Sequence, residues 1–401
     1  MRLNYKKLGP YIREVSVKNK DLEVGRLLGV SITKAFITSI ANTVGTDMSK
    51  YKIVRTNQFA YGPVTSRNGE KISVALLQEN DCIISTSYTV FEVIDHEKLD
   101  PEYLMMWFRR PEFDRYARYK SHGSVREIFG WEDLCDVQLP IPPIEKQQEI
   151  VAEYNTIVNC IKLNEEINQK LEETAQAIYK QWFVDFEFPI SAEYATSIGK
   201  PELEGKPYKS SGGEMVFCPG LDQEVPKGWS HTYLEKMADI SAGGDRPKIF
   251  SEFKSEKCKI PIFSNGTTVE GLYGYTDKAK INSKSVTIAA RGGIGFTALR
   301  LDPYVPIVRL IVLKPKDEKH LFYLFETAKR FRHQDGTSSA QSQLTVPNIS
   351  QYSLLRPDEE ILVKYGKLVQ NVYSVIVSKK SVYSFFSSFL QIMNTKMARA
   401  A

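Results

Sequence analysis

The chain carries two long stripes of apolar positions at helical spacing. In the first, Ile150, Tyr154, Ile157, Ile161, Asn164, Asn168, Leu171, Ala175, Ile178 and Trp182 succeed one another at alternating intervals of four and three residues. That alternation puts them on one face of an α-helix, in the a and d positions of a coiled-coil seam. Neither Gly nor Pro interrupts Ile144 to Phe188, and Pro142-Pro143 and Pro189 mark the two ends. About 40 residues at about 1.5 Å each predict a rod of roughly 60 Å.

Shifted by 211 residues, the stripe returns as Ile361, Tyr365, Leu368, Val372, Val375, Lys379, Val382, Phe386, Phe389 and Met393, with Glu360 where Glu149 stood. Two stripes in one register, each following a proline and a long mixed stretch, indicate an internal duplication. The expected order is a globular unit (1–141), a long helix (142–188), a linker (189–228), a second unit (229–357) and a second long helix (358–401). The fold class is α+β: two mixed α/β units joined by two long helices that pair antiparallel, with a pseudo-two-fold relation. Polar Asn164, Asn168 and Lys379 interrupt the seams, as residues that set register do.

Between the stripes the pattern changes to short β-rich runs. In the first unit these are 51–54, 72–77 and 82–85, divided by polar or Gly-bearing segments; in the second they are 260–263, 286–289 and 307–313. Each unit then offers an amphipathic helix with a basic end. PEYLMMWFRRPEFDRYARYK, from Pro101, carries Arg109, Arg110, Arg115, Arg118 and Lys120; HLFYLFETAKRFRHQ, from His320, carries Lys329, Arg330, Arg332 and His333. A small polar loop follows each, with Ser121, His122, Ser124 and Arg126 in the first, and Ser338, Ser339, Gln341 and Gln343 in the second. The stretch 189–228 has no clear periodicity and reads as a long connection able to lie along the rod.

Composition narrows the class. With 401 residues, 25% of them charged, and ample apolar content, the chain supports two or three packed domains. Its five cysteines are scattered, without a CxxC, which suits a reducing cytoplasm. No apolar run approaches the ~18 residues of a membrane span, and the N-terminus lacks a signal-peptide core. A net charge of +5 permits nucleic-acid binding without requiring it.

The basic helix ends and the loops after them are therefore the candidates for DNA contact. Arg and Lys neutralise phosphates; Arg reads guanine, and Gln or Asn reads adenine. A solvated helix face is the plainer reading of either patch, and their recurrence in a duplicated unit favours function. Arg291-Gly292-Gly293-Ile294-Gly295 suggests a phosphate cradle, but the spacing is not that of a P-loop and a tight turn fits better. The histidines are dispersed with no metal-binding spacing, and no catalytic constellation is evident: no metal site and no catalytic residue are expected.

Leu139-Pro140-Ile141-Pro142-Pro143-Ile144-Glu145-Lys146-Gln147-Gln148-Glu149-Ile150, the seam after it and Gln176 to Phe186 resemble the central conserved region of type I restriction-modification specificity subunits. Residues 205–215 and Val225-Pro226-Lys227-Gly228-Trp229 resemble that family's lead-in to its second domain. The second copy departs, keeping only Arg356-Pro357-Asp358-Glu359-Glu360-Ile361. The resemblance implies a non-catalytic subunit whose two target recognition domains read the halves of a bipartite double-stranded DNA site. It further implies two modification subunits, which bind S-adenosylmethionine, and a restriction subunit driven by ATP; the chain itself would hold no cofactor. Off-seam Val151, Val158, Ile167, Tyr179, Phe183, Phe385 and Leu390 could meet those partners or pack on this chain's own domains. A stand-alone two-headed DNA-binding regulator and a coiled-coil scaffold are the other readings.

Overall fold

The computed structural model describes residues 5–39, 45–66, 68–123, 126–333 and 344–397, with side chains at all of these except 332, 333, 380–385, 387, 388, 391 and 394–397. The chain divides into two compact units, Met1–Glu165 with Ser381–Ala401, and Glu166–Lys380. Each unit thus takes half of both long helices, a different partition from one that sets globular domains apart from helices.

Unit 1 contains β1 (Tyr5–Lys7), β2 (Ile12–Val15), β3 (Val17–Lys18), β4 (Leu28–Val30), β5 (Phe36–Thr38), β6 (Lys52–Val54), β7 (Gln58–Tyr61), β8 (Val74–Leu76), β9 (Cys82–Ile84), β10 (Thr89–Val93), α1 (Pro101–Phe108), α2 (Pro111–Lys120), α3 (Trp131–Cys135), β11 (Gln138–Pro140) and the start of α4 (Ile144–Phe183). The main sheet runs β2-β10-β7-β8, beside a β3-β6-β9 sheet, a β4-β5 hairpin and a β1-β11 pair. The segment expected as one amphipathic helix is two. Pro111 cannot donate to the ladder, so α1 ends at Phe108 and Pro111 opens α2 from its first turn. The Asp100 carboxylate caps α1 by accepting from Tyr103 N at 2.9 Å. The α1 face of Tyr103, Leu104 and Phe108 is wholly buried. There Phe108 meets Phe59 edge-on, and Phe59 stacks on Phe91 at 4.8 Å.

The same core takes in Ile150, Val151, Tyr154 and Ile157 from α4 and Met393 from the last helix. Gln147 ties the head of α4 to that of α1. Fully buried, it donates to Lys98 O and Pro142 O and accepts from Asp100 N, all within 3 Å.

Unit 2 contains the rest of α4, then α5 (Ala192–Ser197), β12 (Met215–Cys218), β13 (Gln223–Pro226), β14 (Ser230–Tyr233), α6 (Leu234–Met237), β15 (Ala238–Ala242), β16 (Ile260–Phe263), β17 (Leu272–Thr276), β18 (Ser285–Ile288), β19 (Thr297–Arg300), β20 (Val305–Pro306), β21 (Ile311–Pro315), α7 (Leu321–Lys329), α8 (Val346–Ser350), β22 (Ser353–Arg356) and the first half of α9 (Glu359–Met397). Its main sheet, β15-β21-β18-β19, has the topology of β2-β10-β7-β8, and β14-β22 closes it as β1-β11 closes unit 1. The duplication read from the stripes is thereby present in the main sheet and in the pair that closes each unit. A second sheet, β17-β16-β20, differs from its counterpart because β16 and β20 are parallel.

Three expectations change. The first long helix ends at Phe183 rather than 188: Val184 N and Asp185 N both close on Lys180 O, and Phe186 turns left-handed at φ 62. The reversal carries Phe188 onto Tyr208 and Trp229, with ring centres 4.6 and 4.8 Å away. The expected linker is therefore folded: α5, the β12-β13 hairpin and buried Ile190, Ala195, Tyr208 and Val225 belong to the core of unit 2.

The second seam changes too. Tyr365 and Val372 pack inward, but Leu368, Val375 and Phe389 are 47, 42 and 37% exposed. The buried stripe in unit 2 is instead Leu362, Tyr365, Val369, Tyr373 and Ile376. Apolar residues flank both sides of the Tyr365–Val372 line. The α7 rings Phe322 and Phe325, each 5.3 Å from Tyr373, select the side that is covered. Within unit 2 the helices run antiparallel, with Trp182 5.9 Å from Tyr365 while Glu172 and Tyr373 line one cavity farther along. The Val382 side chain lies outside the described residues, as does that of Phe385. Val151, Tyr179 and Phe183 are buried in the chain's own cores, and Val158 and Leu390 pack against one. Ile167 is half-buried.

Candidate nucleic-acid interface

In unit 1 the end of α2 and the loop after it are strapped to the loop between β7 and β8. His122 and Ile128 exchange backbone hydrogen bonds of 3.1 and 2.9 Å, Thr65 N donates to Glu127 O at 2.9 Å, and Phe129 N donates to Pro63 O at 2.8 Å. Ser121 is committed to this strap: its Oγ donates to Ala117 O and accepts from Thr65 Oγ1. Gly123 is required where it stands, at φ 137, because a Cβ would come 2.1 Å from Arg126 O. Two loops are thus held side by side with basic groups around them.

Most of the basic candidates of unit 1 face solvent. Arg109, Arg115, Arg118, His122 and Arg126 are exposed and Lys120 is half-buried. Arg109 lies over the Tyr154 ring at 5.6 Å, Arg115 sits 3.4 Å from Glu112, and Arg118 pairs with Glu127. Arg110 departs from the group. It is 7% exposed, its guanidinium stacks 4.4 Å from the Trp107 ring centre and Nη1 is enclosed without a partner. Arg110 is a packing residue between the two helices, since α1 turns it inward at the Pro111 break. Ser124 lies outside the described residues.

Beneath this edge is a buried ion pair that the sequence did not disclose. Lys34, left-handed at φ 66 in the β4-β5 turn, reaches Asp114 of α2 and Ile72 O, each at 2.6 Å. Asp114 also accepts from Ile72 N at 3.1 Å. Burial lowers the Lys34 pKa, and the Asp114 hydrogen bond and charge oppose that shift. The pair fixes α2 to the strand that leads out of the β7–β8 loop.

Unit 2 repeats the arrangement at the same topological place. Its β18–β19 loop holds exposed Arg291 and the Gly292–Gly295 turn, and Leu344 N donates to Ala290 O at 3.3 Å, as Phe129 N does to Pro63 O in unit 1. The run at 292–295 is a tight turn, closed by Phe296 N on Gly293 O at 2.8 Å and by Gly295 N on Ala289 O at 2.8 Å. Arg330 is exposed above the Tyr179 ring, whereas Lys329 is half-buried and paired with buried Glu326 at 2.7 Å. Ser338, Ser339, Gln341 and Gln343, and the side chains of Arg332 and His333, lie outside the described residues.

The loops of unit 2 carry unusual backbone. Val269, Glu270, Val308 and Arg309 all have positive φ, between 47 and 60. Such conformations cost on the order of 1–3 kcal/mol each and persist only where surrounding structure enforces them. Buried Arg300 enforces the first pair: its Nη2 donates to Glu270 O at 2.6 Å, its guanidinium stacks 3.6 Å from the Phe263 ring centre, and burial pulls its pKa down to about 10. Asp317, His320 and Glu359 also approach one another, through a 2.9 Å His320–Glu359 hydrogen bond. That contact joins the head of α9 to that of α7, as Gln147 joins α4 to α1.

A duplicated module, each copy a sheet with exposed basic side chains near one edge and backed by half of two long helices, is the class of fold that the structure defines. The family described as type I restriction modification DNA specificity domain matches the chain twice, over residues 10–173 and 226–395, and the chain belongs to it. It is 24% identical over 385 residues to the type I restriction enzyme HindI specificity subunit of Haemophilus influenzae, covering 82% of each chain. Identity to the MjaIX specificity subunit of Methanocaldococcus jannaschii is 23%, over 74% of this chain and 68% of that one. The fold is that of the S subunit of a type I restriction-modification system from M. genitalium, with TM-score 0.58 at 12% identity, over 98% of this chain and 95% of that one. The chain is a non-catalytic specificity component of a restriction-modification complex acting on DNA. Among the described residues no helix is long and apolar enough to cross a membrane.

Sequence reasoning missed the β7–β8 loop, whose Thr65 bonds Ser121 at the basic end of α2. The signal available was its Ser66-Arg67-Asn68-Gly69 run, read only as a separator between strands.

Proposed function

We propose that each unit reads one half of a bipartite DNA site, and that the two long helices set the interval between the halves and dock two modification subunits. Those partners carry the S-adenosylmethionine chemistry, and a restriction subunit supplies ATP-driven cleavage. The reading rests on one observation: the β7–β8 loop and its counterpart, the β18–β19 loop, are each tied at the same point to the chain downstream of a helix with a basic end, by Phe129 N on Pro63 O and by Leu344 N on Ala290 O. The uncovered flank of α9, Leu368 and Val375, fits a helix of a modification subunit, because an exposed apolar line beside a filled seam is where a third helix packs.

The salt dependence of binding, measured with and without a modification subunit, tests this. Binding to duplex DNA that falls steeply with salt and becomes sequence-selective in the complex is expected. Tight selective binding by the chain alone would favour a stand-alone regulator, and no salt-dependent binding would favour a scaffold. Arg115→Ala and Arg330→Ala are expected to weaken binding to all duplexes alike, each lowering the salt slope by about one unit. Arg126→Ala and Gln341→Ala should change preference among sequences by about 10-fold or more. Competition between cognate and single-substitution duplexes distinguishes the two effects.

A further inference from the structure

The turn between β20 and β21 holds an exposed arginine in an unusual backbone. Leu310 N closes on Ile307 O at 3.1 Å, and the two central residues, Val308 and Arg309, are both left-handed, at φ 52 and 60. Two left-handed central residues make a type I′ turn, for which Asn-Gly is the unstrained choice. A β-branched residue there is an outlier. Val308 is 53% exposed and Arg309 is exposed, so neither is retained for packing.

The surroundings hold this turn rigidly. Val308 N donates to Gly244 O at 2.9 Å and Arg309 N to Gly243 O at 3.0 Å. Gly243 permits the approach: a Cβ there would lie 2.7 Å from Pro306 C. Asn265 completes the hold, donating through Nδ2 to Val308 O at 2.6 Å and accepting through Oδ1 from Ala290 N at 2.7 Å. One side chain therefore couples the Val308-Arg309 turn to the loop of Arg291, which the Leu344 bond attaches to the residues leading into α8. The corresponding turn in unit 1, leading into β10, is closed by Tyr88 N on Ser85 O at 3.1 Å and holds short hydroxyls, with Ser85 Oγ 3.1 Å from Ser87 Oγ. The scaffold position is the same in both units and the chemistry differs, as a position that meets different base pairs requires.

We propose that Arg309 is a base-contacting, specificity-determining residue of unit 2, and that Asn265 is the positioning residue that sets it in register with Arg291. A rigid turn directs the guanidinium fork, which matches guanine O6 and N7, and Val308 beside it suits a thymine methyl. The proposal rests on the DNA-reading role of unit 2.

The test is the pattern of methylated adenines left by the chain, assembled with its modification subunits, on a plasmid library with both half-sites randomised. Arg309→Ala is expected to relax one position in one half-site by about 10- to 100-fold while leaving the other half unchanged. Arg309→Lys keeps the charge and loses the fork, so it should retain binding but not the preference. Asn265→Ala should relax that position together with any that Arg291→Ala relaxes; thermal melting of each variant checks that the fold is intact. An unchanged motif for Arg309→Ala, or full preference restored by lysine, overturns the assignment even where Arg291→Ala shows that unit 2 reads DNA. A wild-type complex with no sequence preference would overturn the DNA-reading role as well.

Discussion

Asp114→Ala is expected to destabilise unit 1 by about 3–5 kcal/mol, because it leaves a buried lysine charge without its partner. Lys34 and Asp114 side chains are 7 and 11% exposed, so water cannot replace what is removed. The usual remedy for a buried ion pair, replacing both partners by hydrocarbon, should recover little here. Asp114 accepts from Ile72 N and Lys34 donates to Ile72 O, so Lys34→Met/Asp114→Leu strips two backbone groups of their partners, at about 1–3 kcal/mol each. The single variant should also regain stability as pH rises. In the native protein burial holds the Lys34 pKa below 10.5, and removing the carboxylate leaves that effect unopposed. Between the folded pKa and 10.5 the unfolded chain then binds more protons than the folded one, so stability grows with pH across that interval. Hydrogen exchange read on unit 1 peptides measures both effects without assuming that a two-unit chain unfolds in one step. Equal protection in Asp114→Ala and wild type would show that the pair contributes nothing. Because Asp114 anchors the helix that presents Arg115 and Arg118, DNA affinity should fall with it.

The long helices were legible because their signal is local and long: ten seam positions in strict alternation leave little room for another secondary structure. What periodicity could not supply was the neighbour on the other side. Leu362, Val369 and Ile376 share the seven-residue spacing of Ile361, Leu368 and Val375, and beyond the buried Ile361 the α7 rings against Tyr373 decide that the first line is covered while Leu368 and Val375 stay exposed. The fold of the stretch after Phe183 is hidden from periodicity for a related reason. Phe186, Phe188, Tyr208 and Trp229 form one core through contacts distant in sequence, and a left-handed turn at Phe186 that no motif announces makes them possible.

The candidate site divides the same way. Charge at the end of an amphipathic helix can be read from sequence, and Arg115, Arg118 and Arg126 are exposed as expected. Arg110 could not be told from its neighbours until Pro111 was seen to break the helix and turn it onto Trp107. Arg309 breaks an apolar run, 307–313, that reads as strand but opens with a left-handed turn, and the turn is what gives the residue its place. Lys34 and Asp114, 80 residues apart, meet only in the folded unit.

Phe183→Ala is expected to cost unit 2 about 3–5 kcal/mol, the usual penalty for deleting a buried aromatic ring. Phe183 is 5% exposed at the last turn of α4, with the rings of Tyr323 and Tyr365 each 4.9 Å away and Trp229 at 6.0 Å. These neighbours come from α7, α9 and the residue just before β14, so the cavity would open where three parts of unit 2 converge, and rigid rings collapse poorly into it. Phe183→Leu keeps more of the volume and should cost less. Tyr365→Phe is expected to behave oppositely. Its hydroxyl is buried and has no hydrogen-bond partner among the described residues, so deleting it removes a desolvated polar group while keeping the ring, and the change should be neutral or stabilising. Exchange protection of α7 and the first half of α9 reports on all three. A loss in Tyr365→Phe as large as in Phe183→Ala would mean that the hydroxyl has a partner, such as an enclosed water, and that polar satisfaction rather than ring packing holds this end of the helix pair in place.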